Sequence, residues 1–310
     1  MLRRNLPDEW ITWGESPSEY WSSIINDPEL HPEIRDNTVT VYYRGAALIR
    51  NLSPSGDTFI GDVHFKYVPV HTTDGSEYLR FSGNAQGLRF ENNLETQHLG
   101  DCGQDVLNEY KRKMRSVVHS GESQVLHHIA SHPANVIIDQ EIPLQTTGSP
   151  TSEKLNLCHY DTQHQSAVFV KISMIHDPRL KADADQVPEI IQQSKRFREQ
   201  IEKHHHAMIE TSQRTVAIKR QIGLSERVKP IPPSEPSRLM KKVLLVIGGC
   251  NQQDIESVLN GEGEWSDFRD AIEKETAGLI LCGMTGCPLA LEKCSQSLIF
   301  DTSMYNTAQH

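Results

Sequence analysis

Five residues in the middle of the chain have side chains that could do chemistry together. In chain order they are Glu141, Asn156, Lys171, Ser173 and Gln193. A hard divalent cation is held by anionic oxygen ligands, and it lowers the pKa of a bound water that then attacks a phosphate. Only Glu141 among the five is an acid, so the set supplies a single anionic ligand. This composition suits a binding cleft better than a hydrolytic metal site.

Three predicted strands carry the first four of these residues. The strands are predicted at residues 136–142, 154–160 and 167–175. Successive side chains of a strand point to opposite faces, so Lys171 and Ser173 share one face of the third strand. A short turn joins the second strand to the third, which predicts an antiparallel hairpin. Alternation therefore directs Asn156, Lys171 and Ser173 towards one cleft, which Glu141 could also enter.

Helices and buried strands surround this segment. The stretch GESQVLHHIA precedes the strands, and apolar residues in steps of three or four predict one long helix over residues 188–222, which contains Gln193. The run VLLVIGG is apolar throughout, which is typical of a strand covered on both faces. A further helix and the strand GLILCG follow. Alternating strands and helices predict an α/β architecture.

In this order of elements, residues from about 103 to 300 resemble the PD-(D/E)xK nuclease superfamily. The resemblance implies an α/β (α+β) fold with a restriction-endonuclease-like mixed sheet flanked by helices. In active relatives, an Asp on the second strand and a Glu on the third hold Mg²⁺, and a Lys two residues later polarises the attacking water. A Gln-x-x-x-Tyr motif follows in the next helix, where this chain has Gln193 and Phe197.

The chain departs from the motif at the positions that the resemblance makes catalytic. Asn156 replaces the Asp, Lys171 replaces the Glu and Ser173 replaces the Lys. In a register shifted by two residues, Lys171 would be the catalytic Lys and Phe169 would replace the Glu. Both registers lose an acid. We therefore expect a core without hydrolytic activity and without a cofactor, in which Lys171 takes the metal position and pairs with Glu141 or another acid. Such a core would bind nucleic acid or serve in assembly.

Two alternatives remain open. An active Mg²⁺-dependent DNA endonuclease would need a relocated catalytic acid, with Glu141 as a metal ligand. Candidate acids near in sequence are Glu122, Asp139, Asp161 and Asp177. A purely structural scaffold subunit would make no contact with nucleic acid. Two or more acids within reach of one metal would favour the enzyme, and the absence of a basic rim would favour the scaffold.

Composition changes along the chain and predicts four segments. These are an N-terminal arm at 1–37, a β-rich module at 38–100, the nuclease-like domain at 101–300 and a flexible tail at 301–310. The aromatic residues of the arm are expected to pack onto the body of the protein. Basic residues alternate with aromatic ones in the β-rich module. This pattern suits single-stranded nucleic acid, but the favoured interpretation is a sheet that buries its aromatic face.

The net charge of −10 argues against nucleic-acid binding by bulk electrostatics, although it leaves room for a local basic face. A protein partner or a homo-oligomer is expected, with DNA or RNA as a further possible partner. No apolar run approaches the roughly 18 residues that cross a bilayer, and no signal-peptide pattern is present. These features predict a cytoplasmic or nuclear protein without a membrane partner. The six cysteines include no CxxC pair and are expected to be reduced thiols.

Overall fold

The structure is a computed structural model. It describes residues 4–15, 18–56, 58–68, 77–84, 87–90, 104–117, 121–144, 153–181, 187–224, 232–262, 264–283, 290–291 and 297–299. The chain divides into two compact units. The N-terminal unit comprises Leu2–Ser123 and Arg214–Ile231, and the C-terminal unit comprises Gln124–Gln213 and Pro232–His310 together with Met1. These divisions differ from the four predicted segments, and both the predicted tail at 301–310 and the boundary near residue 100 lie outside the described residues.

An antiparallel sheet forms the framework of the N-terminal unit. In the described part of the chain its strands lie in sequence order, each antiparallel to the next. They are β1 (Leu30–Ile34), β2 (Val39–Tyr43), β3 (Ala46–Ser55), β4 (Thr58–His64), β5 (Tyr78–Asn84) and β6 (Gly87–Phe90). The helices are α1 (Glu9–Glu15), α2 (Glu19–Ile25) and α3 (Gln104–Val117), and a 3₁₀ turn at Phe65–Tyr67 follows β4. The predicted β-rich N-terminal module is confirmed.

Aromatic side chains fill the core of this unit. Trp10 and Trp21 are fully buried, with ring centroids 5.1 Å apart. Tyr20 stacks on Phe59 at 4.3 Å. The aromatic residues of the predicted arm are therefore part of the core. In the β-rich module the aromatic side chains Tyr43, Phe81 and Phe90 are buried while the basic ones Lys66, Arg80 and Arg89 are exposed, as expected for a sheet with one buried face.

Residues from late in the chain complete this core. Trp21 Nε1 donates a hydrogen bond to the backbone oxygen of Ile222, at 3.2 Å. Lys219 Nζ lies 2.6 Å from Glu33 Oε2, and the two side chains are only 8% and 2% exposed. Burial makes this ion pair sensitive to the loss of either partner, because a buried charge that loses its ion-pair partner is costly.

The C-terminal unit is built on a mixed sheet. Its described strands are β7 (Ile137–Leu144), β8 (Glu153–Asp161), β9 (Ser166–Met174), β10 (Arg238–Leu239), β11 (Val243–Gly248), β12 (Thr276–Leu281) and β13 (Ser297–Ile299). Strands β7, β8 and β9 form an antiparallel meander. Strand β11 lies parallel to β9, and β12 lies parallel to β11. Strand β13 is antiparallel to β12, and the short β10 pairs with the start of β9. The three strands predicted from the sequence are adjacent, as expected.

Helices cover the two faces of this sheet. They are α4 (Gly121–Ala130), α5 (Glu189–Lys203), α7 (Gln252–Asn260) and α8 (Glu264–Glu275). Helix α6 (His205–Gln221) follows α5, and its residues are divided between the two units. Apolar residues of α4 pack with Leu157, Val170 and Ile172 on one face, which we call the α4 face. Residues of α5, α7 and α8 pack with Leu245 and Ile247 on the other, the α5 face. The chain therefore has the predicted α+β architecture.

The long helix predicted over residues 188–222 is two helices. The backbone leaves the helical region at His204, which has φ −114° and ψ 18° and separates α5 from α6. The predicted apolar stripe is present on α5, where Ile190, Phe197 and Ile201 are buried. Among the described residues, no helix is long and apolar enough to span a membrane.

Candidate functional site

Three of the predicted site residues lie side by side on the α5 face. Asn156, Lys171 and Ser173 alternate along β8 and β9 with residues of the α4 face, so they point to the opposite side. All three are buried, with exposed fractions of 1%, 4% and 0%. Leu157 pairs with Val170, which places Asn156 opposite Lys171 in the same ladder.

A hydrogen bond joins the two facing residues. Lys171 Nζ donates to Asn156 Oδ1 at 3.2 Å, and the backbone N–H of Ile172 donates to the same oxygen at 2.9 Å. The amide oxygen of Asn156 therefore accepts two hydrogen bonds, which is its full capacity. An ammonium group stands beside the oxygen that would have to face a metal. An additional cation at this place would meet Coulombic repulsion that burial strengthens.

Ser173 belongs to a second cluster at the end of β9. Its Oγ donates to Asp177 Oδ2 at 2.7 Å. Arg179 donates to both carboxylate oxygens of Asp177, through Nε to Oδ1 at 3.0 Å and through Nη2 to Oδ2 at 2.5 Å. Burial raises the pKa of Asp177, but the hydrogen bonds from Arg179 and Ser173 outweigh it and lower the pKa to about 2. Asp177 is therefore ionised at neutral pH, and both of its carboxylate oxygens accept hydrogen bonds.

Glu141 lies beside the facing pair but is engaged elsewhere. Its neighbours Gln140 and Ile142 pair with Leu157 and Leu155, which puts Glu141 level with Asn156. The Glu141 carboxylate forms an ion pair with Lys154. Among the described residues no ion pair joins Glu141 to Lys171, and the predicted pairing of Lys171 with Glu141 or another acid stays a prediction.

The backbone at Glu141 is unusual for a strand. Its φ is +50°, in the left-handed region that favours glycine. Lys154 is two residues from Asn156 on β8, so the two side chains share a face of the sheet, and the exposed Lys154 is within reach of the Glu141 carboxylate. Alternation therefore places Glu141 on the expected face but does not choose between Lys154 and Lys171 as its partner.

The other acids considered for relocation also have local roles. Asp139 Oδ1 accepts a hydrogen bond from the backbone N–H of Gln140 at 2.8 Å. Asp161 closes the β8–β9 turn, where it accepts from the backbone of Gln163 and lies 2.7 Å from His164 Nδ1. Among the described residues no group of three or more His, Cys, Asp or Glu side chains could hold a metal ion. The residues of the α5 face therefore do not fit a divalent cation.

Helix α5 adds a buried polar group and an ion pair to this region. Gln193 is 7% exposed, and its Oε1 has no hydrogen-bond partner among the described residues. Arg196 links α5 to the sheet: its Nη2 lies 2.6 Å from Glu153 on β8 and 2.5 Å from Glu189. No local pattern in the sequence indicates the role of Arg196, because its partner Glu153 lies 43 residues away.

Three described cysteines are reduced thiols: Cys158 and Cys250 are buried and Cys282 is partly exposed. Burial raises the pKa of Cys250 to about 12, so this group is protonated at neutral pH. Cys287 lies outside the described residues. The expectation of reduced thiols holds for the three described cysteines.

Comparisons with known proteins returned no match among protein-family models, curated proteins or solved structures. Inference about function therefore depends on the order of the elements and on the polar contacts of the α5 face. Those contacts hold the ends of buried side chains in place. Asp139, Asp161 and Asp177 each already accept a hydrogen bond.

Proposed function

We propose that the C-terminal unit is a PD-(D/E)xK-like core that binds a partner and does not hydrolyse phosphodiesters. The order of its elements supports this proposal, because α4, the three strands β7 to β9 and α5 follow one another as in the resemblance. The three strands are adjacent in one sheet. The positions that correspond to catalytic residues share the α5 face.

The hydrogen bond from Lys171 to Asn156 carries the proposal. An active site of this kind needs an anionic oxygen at each of these positions, and the chain has a neutral amide and an ammonium 3.2 Å apart. The ammonium supplies positive charge to the cleft without a metal. It offers no vacant coordination site for water, so the activation of a metal-bound nucleophile is lost.

Charge distribution favours an assembly role for this unit. Most of the net charge of −10 lies in the C-terminal unit, which counts against phosphate neutralisation by this part of the chain. A groove of about 670 Å³ lies between α5 and α8. Its lining combines apolar Val187 and Ile191 with Lys195, Glu199 and Lys274. Mixed charges around an apolar floor are suited to a protein surface.

A cleavage assay tests the loss of hydrolysis. The full-length protein would be incubated with supercoiled DNA, linear duplex, single-stranded DNA and RNA in Mg²⁺ or Mn²⁺. We expect no cleavage above a chelated control. The triple variant Asn156→Asp, Lys171→Glu, Ser173→Lys restores the missing pattern, and we expect weak metal-dependent cutting provided that its circular dichroism matches the wild type. Asn156→Asp alone is the matched control and should remain inactive.

Nicking by the unmodified protein would contradict the proposal. If that nicking required metal and disappeared in Glu141→Gln, the relocated-acid alternative would be established. The assembly role has a separate readout in light scattering over a range of protein concentrations. A mass that rises with concentration in the wild type and not in Lys274→Glu would identify a second copy of the chain as the partner.

A further inference from the structure

The outer face of the N-terminal sheet carries basic side chains beside aromatic rings. Strands β4, β5 and β6 bury alternate residues in the core, among them Phe59, Phe81 and Phe90, so the residues between them point outward. We call the outward surface of β3 to β6, together with the 3₁₀ turn after β4, the outer sheet face. Its exposed cationic residues are Arg50, Lys66, Arg80 and Arg89.

Strand pairing fixes the spacing of these cations. Arg50 of β3 pairs with Asp62 of β4, and Asp62 pairs with Arg80 of β5. Arg89 of β6 pairs with Ser82, two residues along from Arg80. Residues two apart on one strand are about 7 Å apart, and neighbouring strands are about 4.8 Å apart. Three guanidinium groups therefore rise from one small area of sheet.

Aromatic rings lie between the cations. The His64 ring stacks on Phe65 with centroids 4.9 Å apart, and its centroid is 5.2 Å from that of Tyr78. The guanidinium carbon of Arg50 lies 4.3 Å from the Tyr78 centroid. The three rings are half-buried, so each is supported from below and keeps part of its surface in solvent. Rings fixed in this way are platforms on which unpaired bases stack.

The charge of this face is opposite in sign to that of the chain. Among its described residues, two acids, Asp62 and Glu77, accompany the four cations. Asp62 also accepts a hydrogen bond from Asn51 Nδ2 at 2.7 Å. Burial lowers the pKa of His64, and the charge of Lys66 lowers it further, which is the effect of a positive environment. A local positive patch on a chain of net charge −10 is the electrostatic footprint of a polyanion site.

We propose that the outer sheet face binds single-stranded nucleic acid. Arg50, Arg80 and Arg89 contact phosphates, and the rings of Tyr78 and Phe65 stack with bases. A single strand is favoured over a duplex because half-buried rings can reach only unpaired bases. This inference goes beyond the proposed function and does not depend on it, since it concerns residues of the N-terminal unit only.

Fluorescence anisotropy with the full-length protein tests the inference. The probes are labelled oligothymidylate and oligouridylate of about 20 nucleotides, longer than the site of one binding module. We expect saturable binding that weakens with salt. In Arg50→Ala/Arg89→Ala, the slope of log K against log salt should fall in magnitude by about 1.4, because each single-strand phosphate contact contributes about 0.7. Tyr78→Ala should weaken binding about fivefold to hundredfold, and Tyr78→Phe should retain it.

Matched controls separate this site from general charge effects. Lys203→Ala/Lys241→Ala removes the same charge from exposed positions of the C-terminal unit, and we expect wild-type binding. Thermal unfolding checks that each variant is folded. The inference is overturned if the unmodified protein binds neither probe, if the control pair weakens binding as much as the outer-face pair, or if duplex DNA binds as tightly as single strands.

Two further binding measurements distinguish a different ligand and a different binding site from the proposed one. Vesicles of phosphatidylserine and phosphatidylcholine present negative charge without bases, and binding to them with none to the oligonucleotides would overturn the inference. Lys171→Met, compared with Tyr78→Ala, tests whether the oligonucleotide binds in the C-terminal cleft instead of on the outer sheet face. If Lys171→Met abolishes binding while Tyr78→Ala does not, the ligand lies at the cleft. In that case the inference fails while the absence of hydrolysis still stands.

Discussion

Lys171 and Asn156 face each other across the antiparallel pair β8–β9, with Nζ 3.2 Å from Oδ1. The contact pairs a buried charge with a neutral acceptor. A buried charge is costly unless polar groups surround it, so the surroundings of Lys171 must be polar on the α5 face. The same contact keeps the Asn156 oxygen from any other ligand. Its energetic role can be measured with substitutions that change one property at a time.

Changing Asn156 should separate the loss of an acceptor from the gain of a charge. Asn156→Leu removes the acceptor of both Lys171 Nζ and the Ile172 N–H, and we expect a loss of about 1–3 kcal/mol in the free energy of unfolding. Asn156→Asp keeps the acceptor and adds a counter-charge, so it should cost less than Asn156→Leu. Urea denaturation measures both. Equal losses in the two variants would show that the hydrogen bonds at this position do not stabilise the fold.

Lys171 should contribute through its buried stem as well as its charge. We expect Lys171→Ala to lower the free energy of unfolding by about 2–4 kcal/mol, since it leaves a cavity in the core. Lys171→Met fills that volume without a charge and should cost less. Lys203→Ala, at an exposed position of α5, is the control and should change stability by no more than about 0.5 kcal/mol. A melting temperature for Lys171→Ala equal to that of the control would contradict the burial of this side chain.

The lowered pKa of Asp177 predicts that the free energy of unfolding falls at acidic pH. The pKa of Asp177 is about 2 in the folded protein against an ordinary value of 3.8. A carboxyl with a lowered pKa stabilises the fold above its unfolded value, and that contribution is lost as the pH falls towards the folded value. The stability difference between wild type and Asp177→Asn should therefore be constant above about pH 5 and shrink between pH 4 and pH 2.

Urea titrations at a series of pH values measure this difference. Glu199→Gln, an exposed position on α5, is the control and should differ little from wild type throughout. A difference for Asp177→Asn that stays constant down to pH 2 would show that Arg179 and Ser173 do not lower the pKa of Asp177.

The buried pair Glu33–Lys219 should show strong coupling. Each single change, Glu33→Gln or Lys219→Met, breaks the buried ion pair, and we expect a loss of about 3–5 kcal/mol in the free energy of unfolding. The double variant Glu33→Leu/Lys219→Met buries no charge and should be more stable than either single variant. A double-mutant cycle from urea denaturation gives the coupling energy. Additive effects would mean that the two side chains do not interact.

The sequence predicts the local parts of this structure well. Alternation of period two correctly places Asn156, Lys171 and Ser173 on one face, because β8 and β9 are regular there. The helical stripe of α5 follows in the same way from local spacing. The break at His204 is not visible in that stripe, since the residues on either side of it continue the same periodicity.

Partners of charged groups are harder to predict, because they depend on contacts between distant residues and on backbone conformation. Lys171 was expected to pair with Glu141 or another acid, and Glu141 forms its ion pair with Lys154 on the same face of the sheet. Asp177 was a candidate metal ligand, but Arg179, two residues later, donates hydrogen bonds to both of its carboxylate oxygens. Membership of a compact unit is hard to predict for the same reason, because residues 214–231 join the first unit only through tertiary contacts.

The N-terminal unit is made of two separate stretches of chain, so its parts are synthesised at different times on the ribosome. Chains fold as they emerge, N-terminal domains first. Glu33 emerges early, but Lys219, which neutralises it in the core, is made 186 residues later. The backbone oxygen of Ile222, which accepts a hydrogen bond from the Trp21 indole, is likewise synthesised 201 residues after Trp21. The first unit to be translated therefore cannot complete its aromatic core until much of the second has been synthesised.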